Sequence, residues 1–182
     1  MKLFTHLLFI LVVVFGLIIP APAGSQTPSG KEVVSPEAFV SYDPVARGKN
    51  LQVAVVMKIR PGFHVNAREV TADYLIPTDL RAEIPAGFKM GEITYPKGRL
   101  QNFTFSKDKK LNVYTNSVII RVPLTVLATA PTGEQHLSLK LHYQACSDEI
   151  CLPPTTLSLE ASFRVTDNPG SARPAHAELF PK

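Results

Sequence analysis

Short alternating runs of apolar and polar residues recur along this chain, and no 3.6-residue amphipathic pattern of useful length interrupts them. A period of two puts one side of an extended segment on a core and the other in water. Residues 37–44 (EAFVSYDP) alternate and end at a turn, RGKN, while residues 51–59 (LQVAVVMKI) are apolar and β-branched, as in a buried strand. Pro61-Gly62 breaks that run, and residues 63–67 (FHVNA) restart an extended segment. Prolines in residues 75–85 (LIPTDLRAEIP) demote that stretch to an edge or irregular strand. Residues 88–96 (FKMGEITYP) alternate up to the turn Pro96-Lys97-Gly98, and residues 100–110 (LQNFTFSKDKK) read as a polar connection. Residues 113–127 (VYTNSVIIRVPLTVL) form one strong strand pattern, and 136–143 (HLSLKLHY) and 155–165 (TTLSLEASFRV) alternate cleanly. Roughly seven to nine short strands at regular spacing predict an all-β fold, an immunoglobulin-like antiparallel β-sandwich. The Cys-Trp-Cys signature of true immunoglobulin domains is absent, since the chain has two cysteines and no tryptophan.

The N-terminus bears on the compartment. Lys2 precedes an almost unbroken apolar run over residues 7–19, and Pro20-Ala21-Pro22-Ala23 places small residues at cleavage spacing. This is the layout of a secretory signal peptide over residues 1–23, cut after Ala23. The apolar run is shorter than the roughly 20 residues a spanning helix needs, which disfavours an uncleaved anchor. Residues 24–32 read as a polar Gly/Ser/Pro linker. One domain is expected over 33–166, followed by a polar tail over 167–182. Removing the first 23 residues, with Lys2 their one formal charge, takes the net charge from +4 to +3. No basic stripe or aromatic–basic interleaving points to nucleic acid, and no second long apolar segment exists, so the mature chain is expected to be soluble.

The chemistry rests on residues 143–154, YQACSDEICLPP, which hold both cysteines, Cys146 and Cys151. Export would place them where disulfides form and persist. A bond between them closes only a tiny loop, worth roughly 2 kcal/mol by chain entropy, which favours a bond meant to open and close over a mere clamp. From the spacing, a redox pair and a local structural disulfide both stay open; metal ligation with His64 or His142 ranks behind them, because two cysteines lack the usual C-x2-C spacing. Copper handling through His64, Met57, Met90 and the cysteines ranks last, for want of a clustered Met/His motif. Asp148 and Glu149 lie inside the loop and disfavour a thiolate, so the reduced pair is expected to be a reluctant nucleophile. Pro153-Pro154 stiffens the exit. His64 is expected to be a structural edge-strand imidazole bonded to backbone near Pro61-Gly62. His142 and Tyr143 fall on opposite faces by alternation, with Tyr143 a core or loop-supporting ring.

The same run resembles the cysteine loop of the N-terminal periplasmic domain of the thiol:disulfide interchange protein DsbD. That family's pattern is a strand ending in Tyr-Gln, a Cys, a short acidic or small spacer, a second Cys, then Pro-Pro. Residues 61–66 (PGFHVN) look like the family's early Gly-aromatic-His-aliphatic-Asn segment. Tyr95-Pro96 and the VPL of residues 122–124 fall in matching order. The resemblance covers residues 34–165.

The resemblance implies an immunoglobulin-like sandwich with a reversible Cys146–Cys151 disulfide and no cofactor. It implies a periplasmic electron carrier that is reduced by a membrane-embedded thiol reductase and reduces thioredoxin-like periplasmic proteins. One cysteine would form a mixed disulfide and the other resolve it; by order along the chain, Cys151 is the one expected to receive the incoming thiolate. The family shields its cysteines with an aromatic-bearing loop, for which Phe103 and Phe105 are the candidates, though that loop does not align residue by residue. The family's full-length protein continues into a multi-span membrane domain and a thioredoxin-like domain, whereas this sequence ends after one domain, so the expectation is that it takes electrons from a separate membrane protein, serves another thiol pathway, or has lost redox function. The competing expectation is an exported immunoglobulin-like binding module whose disulfide is purely structural.

Overall fold

The strand that alternates most regularly in sequence, β10 (Gly133–Tyr143), shows what builds the fold: Leu137, Leu139, Leu141 and Tyr143 point inward and are buried, while the residues between them face outward. The computed structural model describes residues 27–106 and 109–180. The expected signal peptide over 1–23 lies outside the described residues. Among the described residues no helix is long and apolar enough to cross a membrane.

Among the described residues, twelve strands make three four-stranded sheets. In the first, β1 (Val34–Val40), β3 (Asn50–Ile59), β9 (Ser117–Val126) and β6 (Phe88–Met90) lie side by side in that order, all antiparallel. In the second, β2 (Val45–Ala46) runs parallel to β12 (Thr155–Thr166), which pairs antiparallel with β10, and β10 with β5 (Asp79–Glu83). These two sheets share one apolar core that joins Val53, Val55 and Val122 of the first to Leu139, Leu141 and Phe163 of the second. The result is the immunoglobulin-like β-sandwich that the alternation predicts.

The third sheet carries the cysteines. Its order is β11 (Ala145–Cys146), β4 (His64–Asn66), β8 (Leu111–Tyr114) and β7 (Arg99–Gln101). Alternation gives it two covered faces. Ala145, Val65 and Tyr114 belong to the main core, whereas Leu111 and Val113 face a second apolar cluster with Leu75 and Phe103.

Two sequence-based expectations need correction. The strong pattern over 113–127 is two strands in different sheets, because Asn116 adopts a left-handed conformation at φ 59° and reverses the chain between β8 and β9; asparagine tolerates this region because its short polar side chain bonds locally. Strand β6 stops at Met90, and the rest of 88–96 meets β9 through the Gly91 N–H, which donates to the Pro123 carbonyl at 2.9 Å, and through the Thr94–Arg121 bridge. Before β1, α1 (Gly30–Val33) forms one helical turn. There the Glu32 carboxylate accepts from the Ser29 backbone N–H at 2.6 Å and hydroxyl at 2.8 Å. Residues 167–180 fold back over the sandwich. Asp43 N–H donates to the Arg173 carbonyl at 3.0 Å, the Arg121 guanidinium to the Leu179 carbonyl at 2.9 Å, and His176 meets Phe39 edge-on at 4.8 Å.

Candidate functional site

Cys146 and Cys151 are joined by a disulfide, with their Cα atoms 4.0 Å apart. They face each other as antiparallel partners at the neck of a tight hairpin. Ser147 N–H donates to the Ile150 carbonyl and Leu152 N–H to the Ala145 carbonyl, each at 2.8 Å. Inside the loop the Ser147 hydroxyl accepts from the N–H groups of Glu149 and Ile150, both at 3.2 Å, a serine turn that lets four residues reverse the chain. Gln144 holds the base: its amide donates to the Leu152 carbonyl, and its oxygen accepts from the Asn66 amide, both at 3.3 Å.

The two cysteines differ sharply in environment. Cys146 is buried at 0% exposure, at the end of the edge strand β11, whereas Cys151 is exposed on the far leg of the hairpin. Asp148, Glu149 and Ile150 are also exposed.

An aromatic stretch lies beside this hairpin. The stretch after β7 brings Phe103 over His64, ring on ring at 3.9 Å, and Phe105 stacks on Phe103 at 5.5 Å. Phe103 is buried in the second cluster; Phe105 remains 42% exposed. The Thr104 hydroxyl between them donates to the Asp148 carbonyl at 2.5 Å, which ties this stretch to the cysteine loop. The polar connection of the sequence is thus one short strand followed by an aromatic stretch.

His64 requires a correction. It lies on β4, an interior strand flanked by β11 and β8, not on an edge. It is 3% exposed, and among the described residues its Nε2 is buried without a hydrogen-bond partner. Its register partner is Cys146. Directly opposed residues on antiparallel strands project from the same face, so imidazole and sulfur are side-chain neighbours. Burial pushes the imidazole pKa down to about 4, opposed by the nearby Asp148 carboxylate.

Tyr143 is a core ring: it is 0% exposed, and its hydroxyl donates to the Gly30 carbonyl at 2.8 Å, with burial pushing its pKa up to about 12. His142 faces the other way, its Nδ1 2.9 Å from the Thr156 hydroxyl. Met57 is buried in the main core and Met90 sits on the edge strand β6. Among the described residues, no group of three or more His, Cys, Asp or Glu side chains is arranged to hold a metal ion.

Sequence reasoning gave no role to Thr104 or Ser147, and placed Gln144 and Asn66 in the motifs of the resemblance without assigning their hydrogen bonds. Ser147 carried a local signal, a serine followed by acidic residues in a short loop, which is turn chemistry. A surface cavity of about 980 Å³, lined by Arg68, Asp79, Tyr95 and Leu100 among others, contains none of the residues at the disulfide.

Compared with known proteins, the family described as "Thiol:disulfide interchange protein DsbD, N-terminal" matches residues 31–162. No curated protein matches the chain. Among solved structures, the DsbD N-terminal domain of Neisseria meningitidis in the reduced form is 18% identical, covering 85% of this chain and 98% of that one, at a TM-score of 0.46. The N-terminal periplasmic domain of ScsB from Proteus mirabilis is 12% identical, covering 74% of this chain and 48% of that one, at a TM-score of 0.51. At that identity the second likeness speaks for the fold alone.

Proposed function

Because this chain belongs to the family of the N-terminal domain of the thiol:disulfide interchange protein DsbD, we propose that it is a periplasmic thiol–disulfide exchange domain that cycles Cys146–Cys151 between disulfide and dithiol. The observation that carries this reading is the asymmetry of the bond: Cys146 is buried while Cys151 is presented on an exposed hairpin leg beside a hydrogen-bonded aromatic stretch. A clamp has no need of one open sulfur and a flap beside it.

In this reading a partner thiolate attacks Cys151, the S–S electron pair passes to Cys146, and a mixed disulfide forms. The partner's second thiolate then attacks its own sulfur in that mixed disulfide and releases Cys151. Both cysteines end reduced and the partner oxidised. The reverse sequence passes the electrons on. The electron donor we assign is a membrane-embedded thiol reductase, and the acceptors are thioredoxin-like periplasmic proteins. Residues 1–23 direct export, residues 33–166 carry the exchange, and Phe103 and Phe105 gate access to the sulfurs rather than taking part in the chemistry.

Equilibrium titration of the pair against a thiol buffer tests the reading. A potential of roughly −180 to −270 mV, the range of catalytic exchangers, supports it. A value below about −300 mV marks the bond as structural and leaves an exported immunoglobulin-like binding module in its place.

A further inference from the structure

We propose that His64 is the positioning residue that receives the charge released on Cys146, pairing through Nε2 with the Cys146 thiolate each time the disulfide opens. This deepens the exchange reading and rests on it.

Three observations converge on this histidine. Its strand register sets it opposite Cys146, on the sheet face that the aromatic stretch covers, while Val65 and Ala145 beside them turn into the main core. Its Nε2 is buried and unpartnered, although buried polar atoms are paired in the great majority of cases and an orphan costs about 1–3 kcal/mol. Its ring is held in place by the stack on Phe103. A fixed, neutral, unsatisfied imidazole next to a buried sulfur is poorly satisfied while the bond is closed, and it gains a partner when the bond opens.

The departing sulfur has the complementary problem. Cys146 is 0% exposed, so a thiolate there gets little help from water. Asp148, on the cysteine loop, is the charged group that acts on His64 among the described residues, and its carboxylate favours imidazolium. When the partner thiolate bonds to Cys151, the S–S electrons go to Cys146, and the proton given up as the partner thiol ionised is taken from solvent by His64. The product is a mixed disulfide with a thiolate–imidazolium pair beneath it. On reoxidation Cys146 attacks the mixed disulfide and His64 returns the proton to solvent.

The test is the titration of the His64 ring by NMR in the oxidised protein and in the protein reduced with a phosphine, joined to reduction kinetics with dithiothreitol. The His64 midpoint is expected to rise by about one pH unit or more on reduction, a tenfold gain in proton affinity. His64→Phe, which keeps a ring against Phe103, is expected to slow reduction by about tenfold at neutral pH and to flatten the acid side of the rate profile. His64→Gln restores a donor without a titration, and is expected to recover part of the rate but not the pH dependence. Thr104→Ala loosens the lid with His64 intact, and is expected to change rates at all pH values alike. Equal His64 midpoints in the two redox states would overturn the proposal, as would a His64→Phe variant reduced at the wild-type rate with the wild-type profile. Should both variants fail to fold, the wild-type titration decides alone. Phosphine reduction yields both redox states even of a disulfide too stable for exchange, so failure of the exchange reading and failure of the His64 pairing are told apart.

Discussion

The hydroxyl of Thr104 donates to the carbonyl of Asp148 at 2.5 Å, across 44 residues of sequence, and so joins the aromatic lid to the loop that carries the disulfide. Opening the lid breaks this bond, which at an exposed position is worth about 0.5–1.5 kcal/mol. Thr104→Val keeps the shape and removes the donor. Reduction of the disulfide by a small monothiol, followed by stopped flow, should accelerate by about two- to tenfold with little change in melting temperature. An unchanged rate would leave the ring stack as the sole restraint on the lid.

Phe103 and Phe105 should separate cleanly. Phe103 packs against His64 and, with Leu75, Leu111 and Val113, fills the second cluster, so Phe103→Ala is expected to cost about 3 kcal/mol in urea unfolding and to raise small-thiol reactivity. Phe105 is substantially exposed, and Phe105→Ala should stay within about 0.5 kcal/mol of wild type.

In the reduced protein the two thiols should react at different rates. Cys151 is expected to be alkylated about tenfold faster than Cys146, because one is exposed and the other buried. Mass mapping after a brief alkylation pulse reads the order directly. Faster modification of Cys146 would reverse the roles assigned to the two sulfurs.

His64 makes stability depend on acid. Its pKa of about 4 in the fold lies below the ordinary 6.5, so across that window the unfolded chain binds more protons than the folded one. Stability is therefore complete above pH 6.5, falls as the pH drops, and has lost the full contribution of about 3 kcal/mol near pH 4. Urea unfolding at a series of pH values should show this slope in wild type and a flatter one in His64→Phe.

The N-terminal turn is tied to the core by Tyr143, whose hydroxyl bonds the Gly30 carbonyl. Tyr143→Phe should cost about 1–2 kcal/mol by leaving that carbonyl unsatisfied. Gly30→Ala should cost more, because its Cβ would run into the side chain of Thr155 and come within 3.4 Å of the Pro153 carbonyl. Chemical denaturation of both variants checks the order.

Much of this protein is written locally. Period-two alternation over 136–143 and 155–165 is enough to specify strands and their buried faces, since each side chain's direction follows from its place in the pleat. The cysteine spacing, with Tyr143 and Gln144 before it and Pro153-Pro154 after it, was sufficient to single out the hairpin. Pattern could not divide 113–127 into two strands, because the reversal at Asn116 rests on one residue's left-handed backbone within an otherwise continuous apolar run. The partners of Cys146 were equally beyond its reach. His64 stands 82 positions earlier and Thr104 44 residues before Asp148, and only the antiparallel register of β4 with β11 and the path of the lid bring them to the disulfide. Local alternation thus determined what each segment becomes and which side it buries. Which buried imidazole lies beside which sulfur was decided by tertiary structure, because strand register and loop closure depend on the packing of residues far apart in the chain.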